Sequence, residues 1–504
     1  MDKSGKKKSR MWIKGAAAVL FWLLVWQIIV LWLDNKSGAM GGSILVASPF
    51  ETLKTLFVLI RTAEFWKAVG YSFAKIASGF FLAVAAGVFC AVLASVSGLV
   101  RALLNPVLRL IKAVPVASFI ILALFWLPSS EKLSVLISFL MVLPVIYTNV
   151  LQGIGSTDKE LLEMAAVFRI SFGKRLRYIY IPAVLPYFVS ACSVGLGFCF
   201  KSGIAAEIIG LPQNSIGERL YEAKLYLLTE ELFAWTAVIV LVSVVFEKAV
   251  MLLVKAAAKG LAGNVKQEEC VETLSLGQDI AEGHGEMTGG NAEGEADGLT
   301  VEEHAPGEYG LFEVTKRFEN KTVLEGFSLS IHQGETVALM GDSGCGKSTA
   351  GKVLLGLLQA DGGEVKHPKY MGAVFQEDRL CKEFDAVTNI AMVTGDRRAA
   401  QEALAEVGLA EIGKKPVAAL SGGMKRRVAI VRALLSDGEV LVLDEPFTGL
   451  DATNKQQVLQ YTKESLQGRS ALLITHNETE ASYLADRVVR LRSKTACDAG
   501  DRGK

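Results

Sequence analysis

Apolar residues crowd into the first half of the chain as long runs, whereas the second half has the mixed pattern of a soluble protein. Crossing a hydrocarbon layer as a helix takes about 20 residues. Six runs are this long or approach it: Trp12 to Leu33, Ile76 to Val96, about Val114 to Leu127, Leu133 to Leu151, Leu185 to Phe200 and Phe233 to Val254. The prolines Pro115 and Pro144 interrupt two of them, which membrane helices tolerate. The pattern predicts an all-α six-helix transmembrane domain over residues 12–258.

The charges between these runs predict the orientation of this domain, because cytoplasmic loops carry an excess of Lys and Arg. The basic segment 1–11 lies on the same side as Arg101, Arg109, Lys112, Arg169, Lys174, Arg175 and Arg177. The opposite loop, before the last run, carries Glu207, Glu218, Glu222, Glu230 and Glu231. We therefore expect a multi-pass protein of the cytoplasmic membrane with a cytoplasmic N-terminus. Lys201, the one charged candidate near mid-pathway, is expected at a helix end.

Composition adds limits and a domain boundary. The net charge is only +1 and 51% of residues are hydrophobic, so charge indicates no nucleic-acid partner. The seven cysteines have neither paired nor metal-ligand spacing. The segment 259–308 contains eleven acidic residues between Glu268 and Glu303, and no Lys or Arg in that stretch. Such a segment buries too little apolar surface to fold alone. It predicts a flexible tether, with a regulatory role as the alternative.

Beyond the tether, the pattern predicts an α/β domain that opens with strands near Tyr309–Phe318 and Val323–Ile331. A glycine-rich segment follows the apolar run Thr336–Met340 and precedes a helical run. Its glycines allow backbone N–H groups to surround phosphates, Lys347 can reach the β- and γ-phosphates, and Ser348 can take a Mg²⁺ position. The predicted nucleotide-binding residues are Gly341, Ser343, Gly344, Cys345, Gly346, Lys347, Ser348 and Thr349. This strand–loop–helix order predicts ATP binding.

Other strand ends supply candidate chemistry. An apolar strand ends in Asp444 and Glu445 and delivers both carboxylates to the phosphate crevice. Asp444 can hold Mg²⁺, and Glu445 can polarise the attacking water. Gln376 follows the run Met371 to Phe375 and can sense the γ-phosphate or the metal. His476 closes the strand Ala471 to Thr475 and can hydrogen-bond the γ-phosphate. Phe318 is either a base-stacking aromatic or a strand core residue.

Leu420-Ser421-Gly422-Gly423-Met424 resembles the ABC signature LSGGQ, with Met424 in place of the usual Gln. Gly449-Leu450-Asp451 resembles the D-loop, and Phe318 is placed like the A-loop aromatic. The resemblance covers about residues 309–492, with a tail at 493–504. In that family Ser421, Gly422, Gly423 and Asp451 complete the ATP site of a second copy. The resemblance therefore implies a P-loop ATPase with ATP and Mg²⁺ as cofactors, acting as a homodimer.

The membrane half resembles the permeases of bacterial ABC importers over about residues 45–255. Glu163-Met164-Ala165 followed by Ile181-Pro182 is similar to the EAA loop that docks on the ATPase. Read from its residues alone, the segment 158–182 is as well explained as an ordinary basic loop. The family usually has Gly at position 169, where this chain has Arg169. Either Ser171-Phe172-Gly173 remakes the turn, or the coupling geometry differs.

Ser48–Leu53 and Ala205–Gly210 are similar to the nitrate/sulfonate/taurine branch. The resemblance thus implies a fused permease/ATP-binding importer that moves a small solute inward, such as nitrate, a sulfonate or taurine. It also implies a separate extracytoplasmic binding protein, which no segment of the chain is expected to replace. Two alternatives are an ABC exporter and a membrane-anchored ATPase driving signalling or assembly. The short cytoplasmic loops favour import over export.

Overall fold

A computed structural model describes residues 18, 20–33, 46–262, 308–318, 321–412 and 415–491. The predicted tether, the basic N-terminus and the C-terminal tail lie outside these residues, apart from the ends of the tether. The chain divides into two compact units. One comprises Met1–Ser156 with Val184–Ala258, and the other comprises Thr157–Ala183 with Lys259–Lys504. Each is considered through its described residues.

The first unit is helical throughout. Its helices are α1 (Leu20–Leu33), α2 (Pro49–Leu59), α3 (Ala63–Val96), α4 (Gly98–Ala113), α5 (Val116–Trp126), α6 (Leu133–Gly155), then, after the loop at 157–183, α9 (Ile181–Gly210), α10 (Ile216–Leu225) and α11 (Thr229–Ala262). Every predicted membrane run is helical where it is described, apart from Val114, Pro115 and Leu127 at the ends of the third run. The core contains Ile76, Phe80, Ile146 and Leu196, all almost fully buried. Apolar side chains on facing helices therefore hold this unit together.

The number of membrane crossings differs from a simple count of runs. Among the described residues, four helices are long and apolar enough to span a membrane, and α4 with α5 forms a fifth candidate bent by 108°. Pro115 lies at this bend, directly before α5, where a residue without an N–H and with a fixed φ favours the start of a new helix. The described part of the first predicted span is the shorter helix α1. Six crossings therefore stay a prediction.

Two charged residues lie elsewhere than the sequence predicted. Helix α9 continues to Gly210, so Glu207 is helical and buried instead of belonging to the acidic loop. Its carboxylate accepts hydrogen bonds from Ser72 Oγ (2.6 Å), Ser134 Oγ (3.3 Å) and the Gly217 N–H (3.3 Å). Lys201 lies nine residues before the end of the same helix, so its expected place at a helix end is wrong. The apolar run ends at Phe200, but the helix continues beyond it to Gly210.

The second unit contains two sheets. The antiparallel sheet has the order β2-β1-β4 and the parallel sheet the order β5-β6-β7-β3-β8. The strands are β1 (Glu308–Phe318), β2 (Lys321–His332), β3 (Thr336–Gly341), β4 (Gly362–Lys366), β5 (Met371–Val374), β6 (Val440–Asp444), β7 (Ser470–Ile474) and β8 (Arg487–Leu491). Every residue of β6 and β7 is buried, as expected for central strands covered on both faces.

Helices of the second unit accompany these strands. They are α7 (Lys159–Val167) and α8 (Phe172–Arg175) in the loop at 157–183, then α12 (Lys347–Leu354), α13 (Ala386–Thr394), α14 (Arg397–Glu406), α15 (Gly422–Leu434), α16 (Ala452–Leu466) and α17 (Glu478–Leu484). The loop forms two short helices on either side of residues 168–171. Met164 and Ala165 are fully buried in one apolar cluster with residues of the ATP-binding half. The predicted domain limits assigned this loop to the permease, whereas it packs with the other unit.

Candidate active site

The site is assembled by the parallel sheet. β6 lies between β5 and β7, and β7 lies beside β3. Because parallel strands end at one edge, the segments after these four strands meet there. They carry the glycine-rich loop, Gln376, the Asp444–Glu445 pair and His476. Four motifs that are far apart in sequence thus come together through strand order alone.

The glycine-rich loop is held in the conformation that its composition predicts. Gly341, Gly344 and Gly346 have φ values of +154°, +78° and +109°. At Gly341 an added Cβ would lie 2.2 Å from the Leu491 carbonyl oxygen, so only glycine fits. Helix α12 begins at Lys347, whose ammonium donates to the Gly341 and Asp342 carbonyl oxygens at 2.8 Å each. The loop therefore wraps around its own lysine at a helix N-terminus, the place that favours phosphate.

Ser348 and Asp444 lie together as a Mg²⁺ site requires. Ser348 Oγ donates to Asp444 Oδ1 at 3.3 Å, and both residues line a small cavity that also contains Gln376. Burial raises the pKa of the Asp444 carboxyl, while the Ser348 hydrogen bond lowers it. Among the described residues no cluster of three His, Cys, Asp or Glu side chains occurs. A hydroxyl, a carboxylate and nucleotide phosphates nevertheless suit Mg²⁺, which usually takes few protein ligands.

Glu445 is held in a strained backbone conformation beside His476. Its φ is +46°, in the left-handed region that non-glycine residues rarely adopt. Its N–H donates to the Ile474 carbonyl at 2.9 Å. Its Oε1 lies 3.3 Å from His476 Nδ1. The two side chains predicted to act on water and on the γ-phosphate are therefore neighbours at the ends of β6 and β7.

A residue that the sequence did not single out organises these strand ends. Arg426, buried in α15, donates to the carbonyl oxygens of Asp444, Glu445 and Pro446 at 2.8, 2.6 and 2.9 Å. It also donates to the carbonyl oxygens of Phe375 and Gln376 at 2.5 and 3.1 Å. One guanidinium thus fixes the segments that follow β5 and β6. Most of its acceptors are backbone atoms, which leave no sequence signature.

Of the residues expected to act on a second copy, Ser421, Gly422 and Asp451 are exposed and Gly423 is half-buried. Ser421 caps α15 through the Met424 N–H, and Asp451 caps α16 through Asn454. Gly423 lies close to the Gly449 carbonyl, since an added Cβ would be 3.4 Å away. The signature and D-loop segments are therefore adjacent within the chain. Among the described residues, no hydrogen bond joins them to the glycine-rich loop.

Phe318 ends β1 and is 43% exposed, with Lys316 Nζ 5.6 Å from its ring centroid. This exposure excludes the strand-core alternative. A base-stacking role is the alternative that remains, and it stays a prediction.

The loop at 157–183 contacts the segment that follows Gln376. Arg379, whose side chain is 3% exposed, pairs with Glu163 at 2.8 Å. Lys174 Nζ donates to the Met392 carbonyl at 2.9 Å, and the rings of Tyr178 and Phe384 meet edge to face at 5.1 Å. The ion pair and the two flanking contacts dock both short helices on the ATP-binding half.

Arg169 itself forms the turn at the position where the family usually has glycine. Its φ is +47°, so the arginine itself adopts the left-handed turn between the two short helices. Its N–H donates to the Ala166 carbonyl, and its guanidinium lies 5.3 Å from the Tyr370 ring centroid. The turn is therefore retained without glycine. Ser171-Phe172-Gly173 is not needed to replace it, because Phe172 and Gly173 already belong to α8.

Comparison with known proteins gives two family matches. The ABC transporter family model matches residues 324–448, and that of the binding-protein-dependent transport system inner membrane component matches residues 83–263. An aliphatic sulfonates import ATP-binding protein of Rhodococcus jostii is 42% identical over 186 residues, covering 35% of this chain and 69% of that protein. The corresponding protein of Pseudomonas fluorescens is 42% identical over 183 residues, covering 35% and 71%. A Rhizobium johnstonii relative with the same description is 39% identical over 209 residues, covering 38% and 76%.

A solved dimeric ATP-binding cassette with ADP and Pi aligns with 37% of this chain and 96% of its own, at 26% identity and a TM-score of 0.34.

Proposed function

Because the chain belongs to the ABC transporter family, as a permease and an ATPase fused in one polypeptide, we propose that it imports a small organic anion of the sulfonate class. The predicted membrane permease, the α/β ATPase and the importer class are confirmed by these matches. The observation that carries the substrate proposal is the 42% identity to proteins described as aliphatic sulfonates import ATP-binding proteins. Export and a purely signalling ATPase are not favoured by the permease match.

Hydrolysis in the proposed site depends on positioning and charge. Lys347 exchanges its two carbonyl partners for phosphate oxygens, and the N–H groups of the loop at α12 hold the remaining charge. Ser348 and Asp444 hold Mg²⁺, which neutralises charge on the phosphates when bound. Glu445 orients and polarises the attacking water, and His476 donates to the γ-phosphate. Gln376 responds to the state of this site from the end of β5.

Two copies of the chain are proposed to form the transporter. The exposure of Ser421 and Asp451 in one chain supports this, because both motifs then remain available to a partner's nucleotide. The partner's signature helix would place N–H groups against the γ-phosphate. A separate extracytoplasmic binding protein delivers the solute, and the ATPase faces the cytoplasm, in agreement with the basic loops.

The loop at 157–183 is the proposed transmitter. Its charged contact lies between Glu163 and Arg379, three residues after Gln376. A change at the nucleotide would therefore reach the loop through a short stretch of chain, residues 376–379. Alternating access requires two arrangements of this contact.

Growth of cells lacking their own sulfonate importers tests the proposal. Expression of the full chain with a sulfonate-binding protein should restore growth on ethanesulfonate as the sole sulfur source. The variant E445Q keeps the side-chain shape and should abolish growth, while growth on sulfate remains unchanged in every strain. ATP hydrolysis by the purified wild type without any ethanesulfonate uptake in proteoliposomes would refute sulfonate import.

A further inference from the structure

We propose that Lys201, on helix α9, lines the solute pathway between two copies of the chain and binds the anionic group of the solute. The inference rests on the proposed function for the class of solute. The sequence alone placed this lysine at a helix end, whereas it lies inside the helix.

Lys201 is deep in its helix. It lies nine residues before Gly210, about 14 Å along the axis at the rise of an α-helix. Side chains on a helix lean toward its N-terminus, so that of Lys201 leans away from the nearer end. Snorkelling toward that end, the usual solution for lysines near membrane surfaces, is therefore opposed by the helix direction.

The ammonium has no partner within the described part of the chain. Lys201 is exposed and makes no hydrogen bond or ion pair with another described residue. The other charged group of this stretch, Glu207, is buried and already accepts three hydrogen bonds. It lies about 120° away around the helix. Charged residues inside membranes face protein or water and mark substrate pathways, because lipid exposure is costly.

The face that carries Lys201 points away from the rest of its own unit. Cys199 Sγ donates to the Ile76 carbonyl at 3.4 Å, which fixes the face of α9 that packs on α3. Lys201 lies about 200° from Cys199 around the helix, on the opposite side. Lipid or a second copy must cover this side in a membrane. Only a second copy and an aqueous pathway can satisfy a charge there.

Gly197 gives a second, independent indication. It precedes Lys201 by one helical turn, on the same face. An added Cβ at Gly197 would meet nothing within 4 Å, whereas at Gly195 and Gly203 it would lie 3.2 and 2.6 Å from side chains of neighbouring helices. Glycine destabilises a helix interior relative to alanine. Packing within the chain explains Gly195 and Gly203, and close approach by something outside the chain explains Gly197.

Charge complementarity identifies that occupant. Two copies would bring two Lys201 side chains to one pathway, beside the space left by Gly197. An ammonium forms strong charge-assisted hydrogen bonds with sulfonate oxygens, as it does with phosphate. A neutral solute of the same shape would gain nothing from them. The ligand class is therefore a small monovalent anion with an oxygen-rich head.

The first experiment measures water access at position 201. The full chain in nanodiscs carrying K201C is treated with a sulfonatoethyl methanethiosulfonate reagent that cannot enter lipid. Labelling above that of the wild type, whose described cysteines supply the background, is expected. Absence of extra labelling would overturn the proposal, because the side chain would then face lipid or packed protein.

The second experiment measures the anion. Thermal unfolding of the wild-type chain in nanodiscs is followed against ethanesulfonate and against ethyl methyl sulfone, a neutral analogue. Ethanesulfonate alone should raise the Tm of the wild type. K201A should weaken its apparent affinity at least about tenfold, the scale of one charge-assisted hydrogen bond, and K201R should restore most of it. The control K248A removes an exposed lysine of α11 and should behave as wild type.

The outcomes separate this inference from the proposed function. A wild-type response to ethanesulfonate that K201A leaves unchanged overturns the role of Lys201 while sulfonate import stands. No wild-type response, together with failed growth on ethanesulfonate, refutes the sulfonate class. In that case a rise in the wild-type Tm with nitrate that K201A removes still supports an anion site at Lys201, and a wild-type Tm that no anion raises overturns it.

Discussion

Replacing Arg426 by alanine should remove most of the ATPase activity, although the residue touches no nucleotide in the proposed site. The guanidinium donates to five backbone carbonyls and approaches Asp378 Oδ1 at 3.4 Å. Burial lowers the pKa of Arg426, and a guanidinium remains protonated in proteins. Arg426 thereby joins the segments that follow β5 and β6.

The magnitude follows from these contacts. A buried carbonyl left without a donor costs about 1–3 kcal/mol, and water entering the space of the lost side chain satisfies some of them. If two of the five stay unsatisfied, R426A destabilises the site by about 2–6 kcal/mol. If about 2 kcal/mol of this is lost from the transition state, kcat falls about thirtyfold. Glu445 should be affected most, since its strained φ of +46° depends on this support.

The assay is steady-state ATP hydrolysis by the purified full chain, with fluorescent ATP-analogue binding and Tm measured on the same samples. R426K keeps one charge but cannot reach five acceptors, so it should rescue activity only in part. The matched control is R469A, which removes donors to three carbonyls, those of Leu434, Ser436 and Gly438, away from the site. R469A should lower Tm with little change in kcat of the folded protein. An R426A protein with lowered Tm and wild-type kcat would refute the positioning role.

Three further outcomes are expected. R169G should be more stable than R169A by about 1 kcal/mol, because both lose the side chain but only alanine retains the left-handed strain; equal Tm values would contradict this. E207A should lower Tm in nanodiscs more than E207Q, since alanine leaves three donors without an acceptor; the reverse order would exclude these hydrogen bonds. The Arg487 hydrogen bond lowers the pKa of Glu335 to about 2. The stabilisation that the ionised Glu335 gives the folded state is therefore present above pH 4.5, the ordinary pKa of this carboxyl, and is lost as the pH falls toward 2. R487A should flatten the fall in Tm between pH 5 and 3.5, and an unchanged slope would contradict this expectation.

The nucleotide motifs were predictable because each is a local pattern with its own chemistry. Lys347, Asp444 and Gln376 could each be placed after a buried strand, and parallel strand ends share one edge. Their assembly required no knowledge of loop conformations. Arg426 and Arg379 could not be predicted in the same way. Both act on partners that lie far away in sequence, and most of those of Arg426 are backbone atoms.

The membrane half was less predictable at its boundaries. An apolar run records where lipid-compatible side chains stop, but a helix continues as long as its backbone bonds and packing permit. Helix α9 therefore carries Lys201 and Glu207 beyond the predicted end at Phe200. The bend of 108° between α4 and α5 was not predicted, because α4 carries Arg101, Arg109 and Lys112, which the sequence placed among the basic cytoplasmic residues outside the apolar run.

Two buried arginines, Arg426 and Arg379, connect the candidate nucleotide site to the loop at 157–183. Arg426 fixes the backbone of Asp444 and Glu445 on one side and that of Phe375 and Gln376 on the other. Arg379 lies above the Phe375 ring, 4.1 Å from its centroid, and pairs with Glu163. The peptide segment 375–379 therefore belongs at once to the nucleotide site and to the docking contact. Its ends are fixed, because Arg426 holds the carbonyl oxygens of Phe375 and Gln376 and the Arg379 side chain is buried, while the side chains of Gln376 and Glu377 are exposed. We expect a change that the γ-phosphate imposes on Gln376 to pass along these few residues to the Arg379–Glu163 pair, as coupling of hydrolysis to transport would require.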